Sequence, residues 1–317
     1  MTRARLGVWM ALLALVLLSA ILAPGTLQAA SLSSMLPFAA VLAIASVGQA
    51  LVIQHAGIDL SIPGCMSMTA VIVTQFPHAD DGRLALGVAL ALAAAAAAGA
   101  VNGIAVCKLG LTPIVVTLGT NAVLLGVVRA YSGGVPASAA PRLSSAALDE
   151  TLGIPHTVLV AVLVAATVSA VLHRTVAGRR FVAVGIAPHS ARASGLHTDT
   201  AVVGAYVAAA LCYATAAILL AGYVRTPSIT SGDPYLLAPI AAVVIGGSAL
   251  GHGRTSVAAT VGGALFLSQL GQLILGLGAP AAVQLLVQAA VIAVAVGVRR
   301  VPLRRGPLRP RRALAVP

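Results

Sequence analysis

Charged side chains are scarce in this chain of 317 residues, since Asp, Glu, Lys and Arg together make up only 8% of it. Soluble domains carry about 25% charged residues. Aromatic residues are rare as well, at 3%, whereas hydrophobic residues account for 59%. So little charge excludes a soluble globular protein. The composition indicates a polytopic protein that lies in a lipid bilayer.

Cysteine is also scarce, and Cys65, Cys107 and Cys212 lie inside or at the edge of apolar runs without the spacing of a metal site. The seven histidines are scattered, and no paired carboxylates or Ser-His-Asp grouping suggest catalysis. A G-x-x-x-x-G-K-[ST] phosphate-binding loop is missing too. We therefore expect a protein that is not an enzyme and that binds no metal or cofactor itself.

Long apolar runs, in contrast, recur along the whole sequence. A helix needs about 20 apolar residues to cross the bilayer core, and ten runs meet or approach this length. The sequence therefore predicts an all-α fold of about ten transmembrane helices in one domain, residues 1–299, with a basic, Pro-rich tail at residues 300–317. The predicted spans are residues 6–23, 35–54, 63–76, 84–107, 113–131, 156–172, 201–221, 236–250, 256–275 and 281–298.

The first and fourth runs differ from the rest. Residues 6–23 exceed the apolar core of about 7 to 15 residues in a signal peptide, so we expect a retained helix, with a cleaved signal peptide as the alternative. Residues 84–107 are rich in alanine, and small side chains let helices approach closely. We expect this span to pack tightly against a neighbour.

Basic residues are distributed unevenly between alternate loops. With ten crossings and the N-terminus in the cytoplasm, 15 of them lie inside and 4 outside, the latter being Arg83, Arg129, Arg142 and Arg225. An excess of Lys and Arg marks the cytoplasmic side. The count therefore favours ten spans with both termini in the cytoplasm, places the connection 174–200 there, and explains the net charge of +12 without nucleic-acid binding.

That connection contains the most polar stretch of the chain, AVGIAPHSARASGL at residues 183–196. Pro188 suits the first turn of a helix and Gly195 suits its end, so the pattern predicts a short helix. An ordinary loop with cytoplasmic arginines is one interpretation. The other is an amphipathic helix that fits a groove on a cytosolic partner.

Asp59 is a carboxylate at membrane depth, in HAGIDLSIPG between the second and third spans. An acidic group at the centre of a membrane helix costs roughly 2.5–3.5 kcal/mol, so it needs a partner or water. Asp59 is either a residue of a translocation pathway or a cap that accepts backbone N–H groups at the start of the third span. We favour the cap, because Gly57 and Pro63 frame a helix start.

Other polar residues in the apolar runs add candidates for the pathway or for the helix break. We expect most of them to make interhelical hydrogen bonds. The candidates for the pathway or the break, with Asp59, are Gln49, Ser61 and Asn121.

The break at Asp59 has a possible counterpart in SGDP at residues 231–234. If the two five-helix halves are inverted copies, both interruptions fall at corresponding places, as in many transporters. The similarity covers a few residues, and chance is the alternative.

Four stretches resemble, in order, the permease subunits of ribose-type ABC importers. Residues 183–196 resemble their coupling-helix segment, in which Gly, Asn, Ala-Ala-Arg, one apolar residue and Ser-Gly follow one another. Ala187 stands where the family usually has Asn, so the helix lacks a cap, and Pro63 departs from the usual Val-Gly. The other three stretches are HAGIDLSIPG, VNGIAVCKLGLTPIVVTLGT and IAAVVIGGSALGHGRTSVAATVGGAL.

The resemblance implies the membrane subunit of an ATP-driven importer that moves a monosaccharide, ribose- or pentose-like, or a similar small polar solute into a bacterial cytoplasm. It implies a second permease, two cytoplasmic ATPase subunits that bind ATP and Mg, and an extracytoplasmic solute-binding protein, with no nucleic acid. Residues 183–196 would couple the permease to the ATPase. The candidate coupling residues are Gly185, Pro188, Ser190, Ala191, Arg192, Ser194 and Gly195.

Two other classes of function remain as alternatives. An ion-gradient-driven secondary transporter would use Asp59 as its proton or sodium site, although intramembrane carboxylates are few. An integral-membrane enzyme is the third hypothesis, and no catalytic grouping in the sequence supports it.

Overall fold

The computed structural model describes residues 3–248 and 255–300, and helices dominate it. Arg254 and the tail at residues 301–317 lie outside the described residues, as does the end of the predicted span 236–250. The elements are α1 (Arg3–Leu22), a 3-10 turn (Pro24–Leu27), α2 (Ala29–Gln54), α3 (Ile62–Gln75), α4 (Asp81–Lys108), α5 (Pro113–Ser132), α6 (Pro141–Leu148), β1 (Glu150–Thr151), β2 (Ile154–Pro155), α7 (His156–Arg174), α8 (Val176–Ile186), α9 (Pro188–Ala193), α10 (Thr198–Val224), a 3-10 turn (Asp233–Tyr235), α11 (Ala238–Ile245), α12 (Val257–Gly276) and α13 (Ala281–Arg300).

Six of the described helices are long and apolar enough to cross a membrane, namely α2, α4, α5, α7, α10 and α12. Shorter apolar helical stretches occur in α1, in α3, around α11 and in α13. The chain is therefore an all-α polytopic membrane protein. Each of the ten predicted spans overlaps one helix. The number of crossings stays a prediction.

The core is built on α2 and α10, against which α3, α4 and α12 pack. Helix α2 is buried on all sides from Ala39 to Gln54, as expected for a helix that is apolar all round. Close contact with α10 depends on glycine, because a β-carbon at Gly48 would stand 2.9 Å from the Ala209 carbonyl. Small residues therefore bring the central helices together.

Helix α4 packs along α10 in the same way. Its Ala91 and Ala95 are fully buried, and a β-carbon at Gly99 would lie 2.6 Å from the Tyr206 carbonyl. The tight packing expected of the alanine-rich fourth span is thus confirmed.

Two interruptions of the helical pattern meet on α3. The segment before α3, residues 55–61, contains Ala56 with a φ of 59°. The segment before α11 approaches the same helix, since the Gly232 N–H donates to Ser67 Oγ at 3.1 Å and Gly232 packs against the Pro63 backbone. The breaks that the repeat hypothesis pairs therefore share a neighbour. The repeat itself stays a prediction.

Two short helices, α6 and α8, lie in connections between the predicted spans and were not predicted from the sequence. The connection between the predicted spans 113–131 and 156–172 contains α6, which buries Leu143 and Ala147, and a two-stranded antiparallel ladder of β1 and β2. Helix α8 precedes α9, and the Thr175 side chain caps it by accepting the Gly178 N–H at 2.9 Å. Short amphipathic turns of this kind carry too little periodicity to stand out from loops.

Candidate functional site

Helix α9 occupies the middle of residues 183–196. Pro188 is its first residue, where the fixed φ of proline suits a helix start. Gly195 follows the helix with a φ of +79°, and the Gly195 N–H closes the last turn on the Arg192 carbonyl. The short helix predicted from the sequence is present, and, as expected, no side chain caps it at Ala187.

Arg192 of α9 binds residues of this chain. Its Nε and Nη2 donate to Thr198 Oγ1 at 3.2 and 2.8 Å, and Nη2 lies 3.7 Å from Asp199 Oδ1. Lys108 Nζ donates to the same carboxylate, Asp199 Oδ2, at 2.8 Å. Because Thr198 begins α10 and Lys108 ends α4, these contacts fasten α9 to the ends of two long helices.

Gln54, the last residue of α2, joins three segments at this end of the molecule. Its Oε1 accepts from both the N–H and the Oγ1 of Thr255 at 2.9 Å, just before α12. Gly185 of α8 packs so closely on the Gln54 carbonyl that a β-carbon at position 185 would overlap the oxygen. The absence of a side chain at Gly185 is what permits this contact.

Asp59 lies in the break between α2 and α3 and is 1% exposed. Its Oδ1 accepts the Ser61 N–H at 2.8 Å and the Ser61 hydroxyl at 2.6 Å. The expectation that Asp59 occupies the cap position of the third span is wrong, since Ser61 is the N-cap residue and makes no side-chain capping bond. Asp59 does accept a backbone N–H, but it closes a turn two residues earlier.

A chain of buried hydrogen bonds continues from Ser61 into α4 and α5. Asn102 Nδ2 donates to Ser61 Oγ at 3.0 Å, and Asn102 Oδ1 accepts from Thr120 Oγ1 at 2.6 Å. Asn121 Oδ1 accepts the Gly64 N–H at 2.7 Å. These side chains satisfy backbone and polar groups that a helix break would otherwise leave unpaired at membrane depth.

Gln49 of α2 holds the break from the other side. With its amide oriented to satisfy its neighbours, the oxygen accepts the Asp59 N–H at 3.2 Å and the nitrogen donates to the Asp59 carbonyl at 3.3 Å. The same nitrogen lies 2.8 Å from the Tyr213 hydroxyl. Gln49 therefore replaces, for one residue, the backbone partners that a continuous helix would supply.

A cavity of about 610 Å³ lies between α9 and the helix break. Its walls are residues 55–57, the end of α4, the start of α5, the α8–α9 connection and the start of α10. Pockets that bind small molecules enclose about 300–1,000 Å³. The two charged residues that line it, Arg192 and Asp199, have opposite signs.

His55 in the break and Tyr206 in α10 both border the cavity. The His55 ring packs edge-on against Phe181, with 4.3 Å between ring centroids. Burial lowers the pKa of His55 to about 4, so the imidazole is uncharged at neutral pH. His55 Nε2 and Tyr206 Oη are buried without a hydrogen-bond partner, as are Asp59 Oδ2 and three threonine hydroxyls elsewhere in the described residues.

The predicted site residues fall into two groups in space. Of the seven candidate coupling residues, Gly185, Pro188 and Arg192 line the cavity. The four candidates for the pathway or the break come together at the break and the first turn of α3, and they are not among the residues that line that cavity. Their roles in coupling and in passage stay predictions.

Sequence reasoning missed Gln54, Tyr206 and the pair of Lys108 and Asp199. Gln54 was only the end of a predicted span, and Tyr206 looked like one more apolar side chain of its span. Lys108 and Asp199 did offer a signal, because opposite charges stand at the ends of two spans that the charge count places on one side.

Long apolar helices, a polar break held by buried side chains and a short exposed helix at one end define a multi-pass α-helical membrane protein. A family described as branched-chain amino acid transport system / permease component matches residues 31–296. The chain belongs to this family.

Several proteins are similar to the chain over most of their length. The ribose import permease protein RbsC of Escherichia coli (strain K12) is 32% identical over 90% of both chains, and that of Bacillus subtilis (strain 168) is 31% identical over 92% of this chain and 91% of its own. The fructose import permease protein FrcC of Rhizobium meliloti is 31% identical over 80% of this chain and 73% of its own. No solved structure matches the chain.

Proposed function

We propose that the chain is the permease subunit of an ATP-driven importer that moves a monosaccharide into the cytoplasm. One observation carries the proposal: ribose import permeases match this chain along nine-tenths of its length and of their own. The family description names branched-chain amino acids, whereas the relatives are named for ribose and fructose. The relatives favour a sugar, ribose- or pentose-like, as the solute.

ATP binds to partner subunits in this proposal, because the sequence has no phosphate-binding loop of the G-x-x-x-x-G-K-[ST] type. Two cytoplasmic ATPase subunits bind ATP and Mg. A second permease completes the membrane part, and an extracytoplasmic solute-binding protein delivers the sugar. Both termini and residues 183–196 face the cytoplasm, in agreement with the distribution of basic residues.

Helix α9 has the surface of a docking element. Its Ala191 is buried at 6% exposure and anchors the helix to the permease, whereas Pro188, His189, Ser190 and Arg192 are exposed. A short helix fixed on one side and exposed on the other presents a rigid face to a groove on a partner. The ATPase subunit is that partner in this proposal.

Two sets of contacts link α9 and its neighbour α8 to the long helices, and in this proposal they transmit movement of α9 to those helices. Arg192 links α9 through Asp199 to α10 and α4. The neighbouring helix α8 contacts α2 at Gln54, whose side chain holds Thr255 before α12. Movement of residues 183–196 therefore reaches four long helices through specific contacts, which is the structural requirement for rocking between outward- and inward-open states.

The test is uptake by proteoliposomes that contain this chain together with the ATPase, the binding protein and any second permease from the same source. We expect ATP-dependent uptake of D-ribose or D-fructose and none of L-leucine. Uptake of L-leucine and of neither sugar would show that the imported solute is an amino acid. Uptake by this chain alone, driven by a proton or sodium gradient and abolished by an ionophore, would contradict the ATP-driven mechanism.

A further inference from the structure

The hairpin of β1 and β2 carries a leucine where its turn favours other residues. Thr151 pairs with Ile154, so Leu152 and Gly153 form a two-residue loop. Their φ angles are 55° and 75°, and a turn with positive φ at both central residues is of the kind that prefers Asn-Gly. A bulky side chain rarely adopts such a φ. The backbone of Leu152 is therefore strained.

The side chain of Leu152 is exposed as well. Its exposed fraction is 97%, higher than that of any other large hydrophobic residue that the structure describes. Leu152 lies outside the helices that could cross a membrane, and Ile154, 43% exposed, adds apolar surface beside it. A residue that is unfavourable both for its backbone and for its exposure points to a functional contact.

His156 fixes the hairpin to α6. Its Nδ1 lies 3.2 Å from the Ala146 carbonyl, which can only accept, so Nδ1 is the donor and Nε2 accepts the Thr151 hydroxyl at 2.8 Å. The His156 N–H also donates to the Asp149 carbonyl at 3.0 Å. The tip of the hairpin is thus held in one position.

Helix α6 is itself anchored on α10. It buries Leu143 and Ala147, and a β-carbon at Gly222 of α10 would lie 2.6 Å from the Leu143 carbonyl. The hairpin and α6 therefore form one unit on a core helix. A surface that is already ordered loses little conformational entropy when a partner binds to it.

The charge beside the tip is negative. Asp149 and Glu150 are exposed, and neither makes an ion pair with any residue in the ranges 3–248 and 255–300. The basic residue of α6, Arg142, lies instead 3.9 Å from Asp81 Oδ2. Two free carboxylates favour a partner surface with basic residues and disfavour an anionic lipid surface.

We propose that Leu152 is an anchor by which the permease binds the solute-binding protein, inserting into an apolar pocket that basic residues border. The proposal rests on the proposed function, which supplies this partner and, through the distribution of basic residues, the extracytoplasmic position of the hairpin. Burial of the leucine in the partner offsets the cost of its strain and exposure.

Leu152→Asn separates docking from folding, because the two effects have opposite signs. Asparagine suits the turn, so we expect the melting temperature of the permease to rise by about 1–3 °C. The affinity of the importer in lipid nanodiscs for the purified solute-binding protein from the same source, measured by surface plasmon resonance, should fall roughly tenfold or more, because a leucine is no longer buried in the partner. A purely structural role predicts no loss of affinity in a stabilised protein.

Two further variants serve as controls. Leu152→Met keeps an apolar side chain of similar size and should bind within about threefold of the wild type. Val135→Asn removes another exposed apolar residue, 63% exposed and located between α5 and α6, and should leave the affinity unchanged.

Salt tests the charge of the partner surface. Raising NaCl from about 50 mM to about 500 mM screens exposed charges, so we expect the wild-type affinity to fall roughly fivefold. The double variant Asp149→Asn, Glu150→Gln should lose most of this salt dependence. An undiminished salt dependence in the double variant would contradict a basic border of the pocket.

Failure of this proposal is distinct from failure of the proposed function. Equal affinities of the wild type and Leu152→Asn, in importers that take up sugar, overturn the anchor and leave the proposed function intact. Absence of ATP-dependent uptake by the wild-type importer contradicts the proposed function and the anchor with it. Leu152→Trp tests the bilayer as the partner, because quenching of its fluorescence by brominated phospholipids, beyond that of Trp9, the single tryptophan of the chain, places the tip in lipid and overturns the proposal.

Discussion

Gly185 lies directly against the main-chain carbonyl of Gln54, and a β-carbon at position 185 would overlap that oxygen. This contact joins α8, which leads into α9, to the end of α2, whose residues from Ala39 to Gln54 are all buried. The side chain of the same glutamine holds Thr255. Gln54 thus connects the proposed docking element both to α2 and to the segment that precedes α12.

Gly185→Ala is expected to separate ATP hydrolysis from transport. The added methyl group must push α8 away from Gln54, and the loss of a coupling free energy of about 1.4 kcal/mol would lower sugar uptake per ATP hydrolysed by roughly tenfold. The measurement is uptake and ATPase activity in the same proteoliposomes. Gly204→Ala, where a β-carbon meets no atom within 4 Å, is the control, and equal coupling ratios in both variants would refute a specific role for the contact.

Arg192→Glu is expected to reduce coupled uptake while leaving the fold intact. The new carboxylate would face Asp199 in place of the guanidinium that now lies 3.7 Å away. Because exposed ion pairs contribute only about 0–1 kcal/mol to stability, thermal unfolding in detergent should change little. Arg180→Glu, an exposed residue of α8, is the control for a general effect of charge, and wild-type uptake in Arg192→Glu would exclude Arg192 from coupling.

The ends of α9 and the position of the helix break could be predicted from the sequence, because each is marked by residues within a few positions of it. Pro188 and Gly195 mark the ends of α9, and Asp59 marks a break that a continuous apolar helix would not contain. The contacts of Gln54 with Thr255 and of Lys108 with Asp199 join residues 201 and 91 positions apart. Such pairs follow from packing, which a single sequence does not reveal.

The cap assigned to Asp59 shows a different limit. Gly57 and Pro63 correctly predicted a helix start. The helix, however, begins after Ser61, which occupies the N-cap position in place of Asp59. Aspartate accepts backbone N–H groups in Asx turns as well as in helix caps. The sequence pattern does not distinguish the two.

Gly64→Ala is expected to destabilise the protein through the break. A β-carbon at Gly64 would lie 2.9 Å from the Asn121 carbonyl and from its Oδ1, the atom that accepts the Gly64 N–H. Overpacking of this kind costs about 1–3 kcal/mol, which thermal unfolding of the purified permease would detect. Gly126→Ala in α5 meets no atom within 4 Å and should be neutral, so equal melting temperatures in the two variants would contradict the close packing.

Asp59→Asn is expected to preserve both fold and transport, because an amide oxygen accepts the Ser61 N–H and hydroxyl as the carboxylate does now. Asp59→Leu leaves both Ser61 donors without an acceptor in a buried position, at about 1–3 kcal/mol for each unpaired group, and should unfold at a clearly lower temperature.

Sugar uptake by the Asp59→Asn importer decides between the two mechanisms. If Asp59 served as the proton or sodium site of a secondary transporter, removal of its charge would abolish transport although the hydrogen bonds remain. If the residue only holds the break between α2 and α3, ATP-dependent uptake by Asp59→Asn should stay within about twofold of the wild type, as is usual for a substitution that leaves every hydrogen bond in place. Loss of uptake in a folded Asp59→Asn protein would therefore show that the carboxylate takes part in translocation.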